Sequence, residues 1–170
     1  PKRVLIIGPS HYTAFRGVSF GDFESYETPL GRVSVDPAGR KILEACPLVG
    51  FHPEAHGKEH SLDIQVPFLQ VLFPESPPSI LPLLVGHLEE EDYPTLARCL
   101  TRLLDKQTVL VVSSDFTHYG PRFGYVPFPH EVGVAEKIRN LDQGACDKIL
   151  ELDREGFLSY HEATGITVCG

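Results

Sequence analysis

The sequence predicts an α/β fold, a layered sandwich around a central, largely parallel sheet. Arg3–Ile7, Ile80–Val85 and Thr108–Val112 are short apolar runs without polar alternation, the pattern of strands buried on both faces of a parallel sheet. Segments with helical spacing lie between and after them, so strands and helices alternate along the chain. Two of the strands, in RVLIIG and VLVVSS, each empty into a small-residue turn carrying a histidine, GPSHY and DFTHYG. Open α/β sheets bind ligands at the carboxyl ends of their strands. His11, Asp115 and His118 are therefore expected at one cleft, with Arg3–Ile7 and Thr108–Val112 as parallel neighbours.

After the first strand, Gly17–Val35 contains YETPLGRVSV, turn residues between short β-prone pieces, and predicts a hairpin or lid beside the sheet. SVDPAGRKILEAC then predicts a helix: Asp36 can accept orphan amide bonds, and Pro37 has no amide to leave unpaired at the first position. LDIQVPFLQVLF predicts an apolar helix with Ser61 as its cap. The acidic EEED suits the positive end of a helix whose apolar face is Leu96, Leu100, Leu103 and Leu104. Val134, Ile138, Leu141, Ala145, Ile149 and Leu152 predict a long helix packed along one face. The run ITV, just before Cys169, reads as a last strand.

At 170 residues the chain is expected to form one domain, 1–170, long enough to bury a substantial core. Pro1 stands almost directly before a core strand and Cys169-Gly170 just after an apolar run, so segments are expected to be missing at both ends. The formal net charge of −8 argues against nucleic acid or an anionic membrane as partner, since both are held by clustered Lys and Arg. No apolar run approaches the roughly 20 residues that span a bilayer, and no secretory leader opens the chain. A soluble, cytoplasmic protein is expected. Cys46, Cys99, Cys146 and Cys169 show no paired CxxC spacing and are expected to be thiols, with Cys99 and Cys146 as small core residues.

Several residues have types suited to chemistry. His11 leaves a buried strand and can point into a cleft; the plainer reading is a hydrogen-bonded structural histidine. Asp115 and His118 are three apart and face the same space if their turn begins a helix, so the carboxylate can fix the imidazole tautomer. The plainer reading there is a helix cap beside a packing histidine. His52, His56 and His60 recur every four residues, but Pro53 and Gly57 interrupt a helix. His52 and His56 are expected in an exposed loop, whereas His60 precedes the apolar helix and can point back to the cleft or sit in the capping turn. Cys169, after an apolar run, offers a soft thiolate for iron, copper or zinc.

Four segments together, IIGPSHY, EHSLDIQVPFLQ, VVSSDFTHYGPRFGY and TGITVCG, resemble the Memo family, whose prokaryotic members are the B proteins of the AmmeMemoRadiSam system. That family resembles class III extradiol dioxygenases in fold. The resemblance implies that His11 and Cys169 are two of three protein ligands of iron or copper, the third lying upstream in a proline-histidine-alanine-glycine motif. It also implies that His60, Asp115 and His118 line the same pocket, with His118 as acid or base and Asp115 orienting it. Where the dioxygenases carry a carboxylate ligand this chain has Cys169, so their two-histidine, one-carboxylate iron site is not reproduced. The implied function is a metal-binding protein with redox activity on a small molecule. The alternative is a non-catalytic scaffold that binds a peptide or protein in the same cleft.

Overall fold

The computed structural model describes residues 1–130 and 132–169, and the backbone divides into two compact units, Pro1–Ser113 and Ser114–Cys169. In the first, seven strands form a five-stranded sheet and a two-stranded one. They are β1 (Arg3–Pro9), β2 (Val18–Phe20), β3 (Ser25–Thr28), β4 (Gly31–Ser34), β5 (Val49–Gly50), β6 (Ser79–Val85) and β7 (Thr108–Val112). The large sheet runs β5-β2-β6-β1-β7. β1 pairs in parallel with both β6 and β7, β2 in parallel with β5, and only β2 with β6 is antiparallel. The expected mostly parallel sheet and the β1–β7 neighbourhood are thus present, and β3 and β4 form the expected hairpin.

Alternate residues of β1 and β6 feed two cores. Val4, Ile6, Ile80 and Leu84 pack with Leu62, Val66 and Leu69, the last two on α3 (Gln65–Leu72). Leu5, Leu81 and Leu83 pack with Leu43 of α1 (Pro37–Glu44) and Leu96 of α4 (Asp92–Thr101). The sheet is therefore covered on both faces, which is why these strands lack polar alternation. β7 departs from the expectation of burial on both faces. It is the sheet's edge, and Val112 is 66% exposed there, with Val109 and Leu110 also open.

α1 starts as its sequence predicts: the Asp36 side chain accepts from the Ala38 N–H, with Pro37 at the helix start. Ser61 is a correction: α3 begins four residues later without a side-chain cap, and the Ser61 hydroxyl instead donates to the Pro9 carbonyl at 2.9 Å. His52 and His56 are a second correction. They flank and end the short α2 (Pro53–His56) and are half-buried. The Ser19 hydroxyl lies 3.2 Å from His56 Nε2 and accepts from the His52 amide, and the His52 ring stacks on Phe15 at 4.6 Å. The cysteines are a third. α1 and α4 pack together, bringing the Cα atoms of Cys46 and Cys99 to 5.8 Å, and the two form a disulfide. Cys146 and Cys169 are thiols.

The second unit holds α5 (Val134–Leu150) and α6 (Arg154–Thr164), which pack against each other. Gly144 lets the Tyr160 ring lie on α5, where its hydroxyl donates to the Leu141 carbonyl at 2.8 Å. The apolar stripe expected along α5 is covered only in part: Ala145 is buried, Ile149 is half exposed, and Leu152 lies beyond the helix end, 90% exposed. No element was expected where α6 lies; Asp153 caps it and Gly165, at φ +63°, ends it. The run ITV is not a strand but a segment without regular secondary structure after that helix. Among the described residues no helix is long and apolar enough to cross a membrane.

Candidate functional site

His11 sits two residues past β1, and a close approach of backbone to side chain sets its surroundings. A Cβ on Gly8 would lie 2.8 Å from Ser61 Oγ, so only glycine lets residues 59–62 close against the end of β1. That closure brings Glu59 to His11. One carboxylate oxygen accepts from the His11 amide at 2.6 Å, and the other accepts from its Nδ1 at 2.8 Å. The second oxygen also accepts from the amides of His60 and Ser61 at 2.9 and 3.2 Å. The His60 ring stacks on the His11 ring, with centroids 5.1 Å apart and planes 21° from parallel.

Glu59 is only 4% exposed. Burial by itself would push its carboxyl up, but the hydrogen bonds from His11, Ser61 and His60 outweigh it and hold the group down at about 2. Glu59 is the residue that sequence reasoning missed. Its only local signal was an acid next to His60, and its partner is 48 positions away. In the same unit, Phe23, Tyr26, His56 and Asp63 line an open hollow. Burial and the nearby Glu59 charge raise the Asp63 carboxyl.

In the second unit residues 113–119 follow no helix, contrary to the helical turn used to bring Asp115 and His118 together. They meet nonetheless. The segment folds back on the end of the chain: the Cys169 amide donates to the Asp115 carbonyl at 3.0 Å and the Ser114 hydroxyl to the Cys169 carbonyl at 2.8 Å. His118 Nε2 faces both Cys169 Sγ and Asp115 Oδ2, each at 3.7 Å. Asp115 does not hold the imidazole in place. His118 Nδ1 donates to the Thr167 carbonyl at 2.8 Å, and the His118 amide donates to the Thr167 hydroxyl at 2.7 Å. A carbonyl only accepts, so this bond places a proton on Nδ1.

Each unit thus contains one three-residue group, His11–Glu59–His60 and Asp115–His118–Cys169, whose donor atoms all lie within 4.8 Å of one another. Imidazole, thiol and carboxylate are donors suited to a first-row transition metal, so the residue types fit such an ion. All five residues singled out from the sequence, His11, His60, Asp115, His118 and Cys169, fall in these two groups.

The whole chain, residues 1–170, matches the family model described as Memo-like protein. Over 177 residues it is 33% identical to a MEMO1 family protein of Pyrococcus furiosus, covering all of this chain and 61% of that protein. It is 32% identical over 175 residues to the protein memo-1 homolog of Caenorhabditis elegans, covering 99% of this chain and 49% of that protein. A MEMO1 family protein of Sulfurisphaera tokodaii is 31% identical over 175 residues, of which the chain spans 57%. The chain therefore spans about half to three fifths of the length of these relatives. A family match over every residue, together with relatives about 30% identical over the whole chain, makes this chain a member of the Memo family.

Proposed function

We propose that the chain is the metal-binding part of a Memo-family protein in which His11 and Cys169 each supply a ligand to iron or copper, with His60 beside His11 and with Asp115 and His118 beside Cys169. The observation that supports this reading is the presence of two donor groups, His11–Glu59–His60 in one unit and Asp115–His118–Cys169 in the other, each gathered within 4.8 Å. A third ligand is expected from the upstream part of the longer protein. When bound, the metal would supply a Lewis-acidic, redox-active centre for a small substrate in a dioxygenase-like cleft. His118, with a proton fixed on Nδ1 by Thr167, presents Nε2 as acid or base toward Asp115 and Cys169.

Elemental analysis of full-length protein purified without oxygen tests the reading. One iron or copper per chain is expected, lost on Cys169→Ser and on His11→Ala, and retained on Asp115→Asn. Retention of metal by Cys169→Ser and its loss in Asp115→Asn would make Asp115 the ligand instead. Full-length protein that binds neither metal but captures a peptide would favour the scaffold reading, which rests on the same cleft.

A further inference from the structure

The Glu59 carboxylate does not behave as a ligand waiting for an ion. Both of its oxygens already accept hydrogen bonds, four in all, from the His11 amide and ring and from the His60 and Ser61 amides. It is buried, and the Gly8–Ser61 approach clamps the segment that carries it to the end of β1. An ionised carboxylate accepts and cannot donate, so the 2.8 Å contact with His11 Nδ1 requires the proton on that nitrogen. In a neutral ring the lone pair is then on Nε2. Unconstrained histidine favours the opposite tautomer, with the proton on Nε2, where it would obstruct coordination by that atom.

We propose that Glu59 is a positioning residue that locks His11 in the Nδ1–H tautomer and so commits its Nε2 to metal coordination. The proposal deepens the metal-binding reading and rests on it for the role of His11. The tautomer itself is a property of the metal-free protein. Carboxylates that orient ligating histidines act by fixing the ring and raising its basicity. The arrangement also assigns a use to a buried acid that no ligand scheme requires, and it makes His60 a neighbour held by the same carboxylate through its backbone.

The test has two readouts on full-length protein. In metal-free protein with labelled nitrogen, a two-bond proton–nitrogen correlation spectrum at a pH where imidazoles are neutral reports which ring nitrogen of His11 is protonated, the peak being assigned by its loss in His11→Gln. The parent should show Nδ1–H, and Glu59→Gln should shift the population toward Nε2–H. A parent ring protonated on Nε2 overturns the proposal without needing any variant to fold. Anaerobic Fe(II) titration is the second readout. Glu59→Gln should bind one Fe(II) per chain about 10–100-fold more weakly. Unchanged affinity would overturn the proposal, and loss of stoichiometric binding would make Glu59 a ligand rather than a positioning residue. If the parent binds no Fe(II), the metal-binding reading fails while the spectrum still decides the tautomer.

Discussion

His11 and His118 are oriented by the same kind of bond to different kinds of acceptor. Nδ1 of His11 donates to a buried side-chain carboxylate, that of His118 to a backbone carbonyl, both at 2.8 Å. The carboxylate is charged and gathers four N–H groups from residues 11, 60 and 61, so it ties two distant segments together and its strength depends on pH. The carbonyl is neutral, belongs to a residue that no side-chain substitution deletes, and does not titrate. One unit thus gains a stronger but conditional hold on its imidazole, and the other a weaker, unconditional one.

The first unit is also the one with a covalent link, and removing that link should give the largest effect. Cys46 and Cys99 are 53 positions apart, and the chain-entropy model assigns closure of such a loop about 4 kcal/mol. Denaturant unfolding of oxidised parent against the Cys46→Ala/Cys99→Ala variant, followed by a probe in Pro1–Ser113, should show a loss of that order. Equal midpoints would mean that helix packing, rather than the bridge, holds α1 to α4.

An intermediate effect is expected from the charged acceptor. Glu59→Gln replaces charge-assisted bonds and turns an amide donor toward the His11 N–H, costing about 2 kcal/mol at neutral pH. Its sign with pH follows from the depressed carboxyl, at about 2 folded against an ordinary 4.5. The contribution is fully present above about pH 4.5 and is lost as pH falls toward 2. Parent and variant stability curves should therefore converge in that window. Curves that stay parallel down to pH 2 would show that the Glu59 charge contributes nothing to the fold.

The smallest effect belongs to the neutral acceptor. Thr167→Val removes the hydroxyl that accepts from the His118 amide at 2.7 Å but keeps the carbonyl that holds the ring. A loss of about 1 kcal/mol is expected, with the His118 tautomer unchanged in the same nitrogen-detected spectrum. A tautomer change would show that the hydroxyl, not the carbonyl, sets the ring.

What the sequence disclosed was what short-range physics encodes. The Asp36-Pro37 helix start, the β3–β4 hairpin and the apolar strands β1 and β6 each carry their signal within a few residues. The site residues were found because His11, Asp115 and His118 lie in turns that follow apolar strands, and because the four segments that resemble the Memo family carry all five. The contacts that orient them were not, since Glu59 reaches His11 across 48 positions and Thr167 reaches His118 across 49. The Cys46–Cys99 pair is hidden for the same reason. α6 was missed because Gly156, Phe157, Ser159 and Tyr160 are middling or poor helix formers, and its start depends on the Asp153 cap.

Among the described residues β7 has a partner on one side only, and Val109, Leu110 and Val112 are open to solvent along it. A short, apolar strand with an unpaired row of amides and carbonyls is a template for another strand, and it carries no lysine or proline to discourage pairing. The practical consequence concerns handling. Protein carrying this edge uncovered should self-associate as it is concentrated, broadening its spectra and blurring metal stoichiometry, so dilution series belong with every titration of the molecule.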